Sequence, residues 1–127
     1  MFVQVLRNKI HRARLTHCDV DYEGSLEIDI AYLEAAGILP YEKILVVNAT
    51  NGQRLETYAI PGERGSGVFC LNGAAAHRGK PGDTVTIMTF AVMTPEEAAK
   101  HQPTIIVLDE KNKITAKRKG RKDLQLN

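Results

Sequence analysis

The dipeptide Gly24-Ser25 could carry out chemistry on its own backbone. A serine hydroxyl that attacks the preceding carbonyl carbon converts the amide into an ester. β-Elimination from that ester leaves dehydroalanine, which hydrolyses to ammonia and a pyruvoyl group. Glycine before the serine favours the attack, because a residue without Cβ tolerates unusual backbone angles and exposes its carbonyl. Gly-Ser is also a common turn pair, so the dipeptide alone does not distinguish self-cleavage from an ordinary turn.

The first predicted element that would position this dipeptide is a strand. Residues 2–6 predict a strand, and the alternation across residues 13–17 continues it. We expect Gly24-Ser25 to join this early strand to the start of a helix. Asp29 has the position of a helix N-cap and Gly37 that of the residue after the last turn, which together bound a short helix.

Further strands separated by turns are predicted along the rest of the chain. Residues 43–49 form one strand, Asn51-Gly52 is a strong hairpin signal, and residues 53–60 return with Thr57 on one face. On the other face lie Arg54, Glu56 and Tyr58. The remaining predicted elements are strands at 68–71, 84–93 and 104–108, a turn of tiny residues from Asn72 to His77, and a helix that starts at Thr94, Pro95 and Glu97. This pattern predicts a mainly β protein with two or three short helices, folded as a small closed β-barrel.

The composition fits one soluble domain. A chain of 127 residues can form one core, and 43% hydrophobic with 25% charged residues excludes wholesale disorder. No apolar run approaches the roughly 20 residues that cross a bilayer, and residues 1–6 are too short for a secretory signal. We therefore expect a cytoplasmic protein with no membrane contact. Cys18 and Cys70 lack metal-ligand spacing, which predicts two free thiols and no metal site.

Charge divides the chain into two parts. Residues 1–110 have ten basic and fourteen acidic side chains, a net charge of −4, whereas residues 111–127 have seven basic and one acidic, a net charge of +6. We predict a single domain over 1–110 and a mobile basic tail over 111–127. Basic side chains can contact phosphates, but no aromatic residue lies among them to stack on bases. Nucleic-acid binding is therefore not expected.

The order of motifs along the chain resembles a known enzyme family. The matching segments are Lys9-Ile10-His11-Arg12, Thr16-His17, Asp19, Tyr22-Glu23-Gly24-Ser25, Asn51-Gly52, Arg54, Thr57-Tyr58-Ala59-Ile60, Glu63-Arg64-Gly65-Ser66 and Asn72-Gly73-Ala74-Ala75-Ala76-His77. This set resembles the pyruvoyl-dependent aspartate 1-decarboxylases, which convert L-aspartate into β-alanine and CO2. The resemblance extends from about Lys9 to about Thr94.

The resemblance implies a fold, a cofactor and an assembly. The fold would be a double-psi β-barrel, and the assembly a homotetramer with active sites between subunits. Cleavage between Gly24 and Ser25 would convert Ser25 into a covalent pyruvoyl group that forms a Schiff base with the substrate amine and accepts electrons when CO2 leaves. No metal or pyridoxal phosphate would be needed. The product would serve pantothenate, and hence coenzyme A, biosynthesis.

Residue roles also follow from the resemblance. Tyr58 would be the proton donor, and Thr57 would polarise the Gly24 carbonyl during cleavage and contact the substrate. The other implied substrate-binding residues are Lys9, Arg54, Gly73, Ala74 and Ala75, and the supporting residues are His11, Tyr22 and Asn72. Arginine binds carboxylates with two hydrogen bonds, and small side chains let backbone N–H groups approach an anion. His17 and His77 are interpreted as structural, and both cysteines as packing residues.

Other interpretations stay open on the sequence alone. Taken singly, the cations fit a solvated surface, Tyr58 fits an ordinary strand position, and the small residues fit a plain turn. The chain could be a small β-barrel nucleic-acid-binding or regulatory module with a basic tail. A precursor that needs a maturation factor would carry the same motifs, although nothing in the sequence indicates one. An intact mass distinguishes a cut chain from an uncut one.

Overall fold

A computed structural model describes residues 1–120 of the chain. Its nine strands are β1 (Val3–Arg14), β2 (His17–Asp19), β3 (Ser25–Asp29), β4 (Lys43–Asn48), β5 (Arg54–Gly62), β6 (Phe69–Asn72), β7 (Thr84–Met93), β8 (Thr104–Leu108) and β9 (Ile114–Lys119). The helices are α1 (Ile30–Ala36), a 3₁₀ helix (Gly73–Arg78) and α2 (Pro95–Lys100). The predicted mainly β class with three short helices is confirmed. None of these helices is long and apolar enough to cross a membrane.

The strands follow one hydrogen-bonded order, β2-β6-β3-β5-β4-β7-β1-β8-β9. Three neighbouring pairs are parallel, namely β1 with β8, β2 with β6 and β3 with β5, and the others are antiparallel. Parallel neighbours require crossover connections, so this is not a simple meander. Within residues 1–120 the hydrogen bonding does not close the sheet from β9 back to β2, and the closed double-psi barrel stays a prediction.

One hydrophobic core contains residues from strands in both halves of this strand order. Ile10 of β1, Leu26 of β3, Phe69 of β6 and Ile106 of β8 are all fully buried in one cluster. The Tyr32 ring of α1 stacks on Phe69 with ring centroids 4.9 Å apart. Each such buried side chain contributes about 1.5–3 kcal/mol. The strands around Ser25 are therefore held by packing as well as by hydrogen bonds.

Local signals in the sequence located the helix ends correctly. The Asp29 carboxylate accepts a hydrogen bond from the Ala31 N–H at 2.8 Å, and Gly37 closes α1 with φ of 81°. Thr94 and Glu97 form a reciprocal capping box at the start of α2. The Asn51-Gly52 hairpin joins β4 to β5 as predicted.

The element that follows Gly24 differs from the prediction. Ser25 does not lead directly into a helix but is the first residue of β3, and α1 begins only at Ile30. Leu26 and Ile28 are buried while Glu27 between them is less so. β3 pairs with β5 on one side and β6 on the other. This two-sided pairing favours a strand where the short sequence signal is weak.

The predicted basic tail is partly ordered. Ile114–Lys119 forms β9, which pairs antiparallel with β8, so the structure differs here from the mobile segment expected over 111–127. Just before β9, the Asn112 side chain accepts from the Arg14 N–H at 2.8 Å and donates to the Arg14 carbonyl at 3.0 Å. These bonds tie the connection before β9 to β1. Residues 121–127 of the predicted tail lie outside the described residues.

Candidate active site

Ser25 is buried at the head of β3, beside an exposed Gly24. Its side chain is 1% exposed, and its Oγ accepts a hydrogen bond of 3.2 Å from Nδ2 of Asn72. The same two residues are paired across β3 and β6. The Glu23 carbonyl oxygen lies 3.5 Å from the Ser25 hydroxyl, a long contact. The hydroxyl is thus fixed beside a peptide that solvent can reach.

Gly73 brings the 3₁₀ helix against this peptide. Its φ is +67°, and a Cβ there would lie 2.7 Å from Gly24 Cα, 2.8 Å from Gly24 N and 3.0 Å from the Tyr22 carbonyl oxygen. Real Cβ atoms do not approach backbone this closely, and the positive φ independently favours glycine. Gly73 is therefore required for the approach, which supports its predicted place in the site.

Two clefts flank the Gly24-Ser25 peptide. The first, of about 340 Å³, is lined by Gly24, Leu55, Glu56, Thr57, Ala74, Ala75 and Arg78. The second, of about 280 Å³, is lined by Tyr22, Glu23, Ser25, Tyr41, Tyr58, Ile60 and Pro61. Parallel pairing of β3 with β5 brings Thr57 and Tyr58 near the peptide from opposite faces of one strand. The structure therefore gathers most of the predicted site residues around one bond.

Tyr41 is a site residue that the sequence did not reveal. Its ring lies 6.5 Å from that of Tyr58, centroid to centroid, and both rings line the cleft beside Ser25. The Tyr41 backbone has φ of +70° and its N–H donates to the Ala59 carbonyl at 2.7 Å. No local motif marks this position, because its neighbourhood depends on how the loop before β4 packs on β5.

Lys9 and His11 lie on a strand that is not a hydrogen-bonded neighbour of the Ser25 strand. Both lie on β1, and β5, β4 and β7 separate that strand from β3 in the sheet order. Neither residue lines the two clefts beside Gly24-Ser25, and Arg54 is exposed at the start of β5 and lines neither of them. The two predicted cations, Lys9 and Arg54, therefore line neither of these clefts in this chain.

Burial shifts the pKa of one predicted site histidine and of both thiols. Burial lowers the pKa of His11 from its ordinary value, and the neighbouring charges of Lys9, Arg12 and Arg118 lower it further. Burial raises the pKa of both thiols, Cys18 and Cys70, which are free cysteines. Among residues 1–120 no three His, Cys, Asp or Glu side chains cluster so as to hold a metal ion. The exposed His17 and His77 take no part in either cleft.

Comparisons with known proteins show the family of this chain. The family described as aspartate decarboxylase matches residues 1–115. An aspartate 1-decarboxylase of Listeria welshimeri is 56% identical over 114 residues, covering 90% of each chain. That of Ruminiclostridium cellulolyticum is 54% identical over 92% of this chain and 91% of its own, and that of Salinibacter ruber is 52% identical over 93% and 81%. This chain belongs to the aspartate decarboxylase family.

Proposed function

We propose that this protein is a pyruvoyl-dependent aspartate 1-decarboxylase, a lyase that converts L-aspartate into β-alanine and CO2. The observation that carries the proposal is the Gly24-Ser25 peptide itself. Its hydroxyl is buried and held by Asn72, and two clefts open on either side of it. Membership of the aspartate decarboxylase family supports aspartate as the substrate. The product fits a role in pantothenate biosynthesis in the cytoplasm.

The first step is an acyl shift within the backbone. The bond from Ser25 Oγ to the Gly24 carbonyl carbon forms as the bond from that carbon to the Ser25 nitrogen breaks. The hydroxyl proton ends on the released amine. Negative charge develops on the Gly24 carbonyl oxygen, and Thr57 lines the same cleft as Gly24. A hydroxyl donor at that oxygen would stabilise the charge, as in an oxyanion hole.

The second step separates the two fragments. Loss of the Ser25 Cα proton and breakage of the Cβ–Oγ bond release Gly24 as a carboxylate, leaving dehydroalanine at position 25. Its imine form takes up water and loses ammonia, which gives the pyruvoyl group. The residues of the chain fit this group, because β3 is held by β5 and β6 and the cleft beside Ser25 opens outward. When present, the group supplies the carbonyl that binds the substrate amine as a Schiff base and accepts electrons.

Tyr58 is suited to the proton transfer that completes turnover. Its side chain lines the cleft that Ser25 also lines, and it is 37% exposed. A phenol hydroxyl beside the reacting carbon can donate a proton to it. Tyr22 lines the same cleft and Asn72 holds Ser25 from the interior. We assign these two a supporting role.

The substrate carboxylates would be bound between subunits. Ala74 and Ala75 line one cleft, and Gly73 packs against Gly24 beside it. The exposed Arg54 and the β1 residues Lys9 and His11 do not line that cleft. A second copy that places its own Lys9 or Arg54 at the cleft would supply the missing cations. This arrangement supports active sites at subunit interfaces, and the assembly that we propose is a homotetramer.

The decisive experiment measures cleavage and turnover on the same sample. Intact-mass analysis of purified protein should give a Met1–Gly24 fragment and a larger fragment blocked at residue 25, and the sample should form β-alanine and CO2 from L-aspartate. Ser25→Ala should fold, remain uncut and form no β-alanine. Wild-type protein that stays uncut yet makes β-alanine would overturn the mechanism. Cleavage only on addition of cell extract would assign maturation to a partner protein.

A further inference from the structure

The buried thiol of Cys70 contacts Asn72 and takes no part in the cleavage steps described above. Cys70 is 7% exposed and Asn72 is 2% exposed. The two are spaced by two residues on β6, so their side chains share one face of the strand. The Cys70 Sγ lies 3.2 Å from Asn72 Oδ1, and Asn72 Nδ2 lies 3.2 Å from Ser25 Oγ. A buried path of two hydrogen bonds therefore runs from the thiol to the serine.

The direction of these bonds follows from the chemistry of the groups. A side-chain amide has one acceptor end and one donor end, whereas a thiol donates weakly through S–H. Burial raises the pKa of the Cys70 thiol, and the charge of nearby Glu27 raises it further. The thiol is therefore protonated at neutral pH and donates to Oδ1. This contact holds the amide with its N–H2 group toward Ser25.

Amide orientation decides what the Ser25 hydroxyl does. With Nδ2 toward it, the oxygen accepts a hydrogen bond. Its own proton has only the long 3.5 Å contact with the Glu23 carbonyl oxygen and can leave that weak contact during attack on Gly24. With the amide reversed, Oδ1 would accept a hydrogen bond from the Ser25 hydroxyl. That bond would hold the hydroxyl proton on the side of Asn72. The reversed amide would also lose the acceptor for the Cys70 thiol.

We propose that Cys70 is a positioning residue for self-cleavage, which orients the Asn72 amide so that Ser25 Oγ is an acceptor when the Gly24-Ser25 bond breaks. The inference rests on the proposed function, because it concerns the rate of that cleavage. One net hydrogen bond is worth about 0.5–1.5 kcal/mol. Losing it should therefore slow cleavage by about two- to twelvefold.

The test compares three variants of Cys70 with the wild type. Full-length protein is synthesised rapidly, and the first-order rate of cleavage is followed by intact mass. Cys70→Ser keeps a donor at the position and should cleave within about twofold of wild type. Cys70→Ala loses the donor and Cys70→Val loses it while filling the space, so both should be slowed several-fold. Thermal unfolding of each precursor, made uncleavable by Ser25→Ala, checks that the fold is retained.

The outcomes distinguish the proposed self-cleavage from the proposed positioning role of Cys70. If wild-type protein does not cleave, the proposed function itself fails. If wild type cleaves and Cys70→Ala cleaves at the same rate, the positioning role is refuted while self-processing stands. A role in packing alone predicts a different order, because serine and alanine are both smaller than cysteine and would then behave alike, with valine closest to wild type. That order would also refute the proposal.

Discussion

The substitution Gly73→Ala should destabilise the precursor and slow its cleavage through a single added methyl group. That methyl would lie 2.7 Å from Gly24 Cα and 2.8 Å from Gly24 N, both backbone atoms that cannot rotate away. The residue would also keep φ at +67°, where a side chain costs about 1–2 kcal/mol. Overpacking adds about 1–3 kcal/mol. The expected loss is therefore about 2–5 kcal/mol of the free energy of unfolding.

Gly52→Ala is the matched control for this substitution. Gly52 has φ of +76°, but nothing in residues 1–120 lies within 4 Å of the Cβ that would be added. It should therefore lose only the conformational part, about 1–2 kcal/mol. The difference between the two variants isolates the clash with Gly24, about 1–3 kcal/mol.

Urea unfolding measures both losses. The measurement uses precursors made uncleavable by Ser25→Ala, at equal protein concentration because the proposed subunit association would add to apparent stability. Cleavage is then followed in the otherwise native sequence, where Gly73→Ala should be slowed and Gly52→Ala should not. Equal losses in the two variants, or normal cleavage in Gly73→Ala, would refute the idea that close approach of the 3₁₀ helix shapes the scissile peptide.

Two further predictions concern single side chains. Tyr58→Phe should cleave normally but decarboxylate L-aspartate at least about a hundredfold more slowly, measured as β-alanine formed by the fully matured sample; a variant that fails to cleave would contradict this division of roles. Because the pKa of His11 is lowered in the folded state, chiefly by burial, the unfolded chain binds the extra proton and stability should fall as pH drops below about 6.5. His11→Asn should show a weaker loss between pH 7.5 and about 5.5 in urea unfolding, and an unchanged pH dependence would exclude His11 as its source.

Local rules in the sequence predicted the features that depend on a few neighbouring residues. Asp29, Gly37 and Thr94 mark helix ends because capping involves residues within one turn. The hairpin at Asn51-Gly52 is equally local. The resemblance to a family, and not periodicity, named the residues around Gly24-Ser25, and the structure then gathered Thr57 and Tyr58 beside them.

Features set by distant pairing could not be read in advance. β3 is a strand because β5 and β6 lie on either side of it. β9 pairs with β8, and the connection before it is bonded through Asn112 to Arg14, 98 residues away in the chain. Tyr41 and Cys70 come near Ser25 through strand register and loop packing, which no short motif encodes. The separation of Lys9 from Ser25 is also a matter of strand order.

The place of β1 has a consequence for the processed protein. Cutting after Gly24 would release a piece that contains β1 and β2, yet β1 is hydrogen-bonded to β7 along one edge and β8 along the other, and its Ile10 and Ala13 are fully buried. The short fragment would stay hydrogen-bonded to the larger fragment and packed in its core without a covalent link. Once denatured, the two fragments would have to meet again in solution to rebuild one subunit, and that step would slow on dilution; a precursor subunit, which is one chain, folds without such a step.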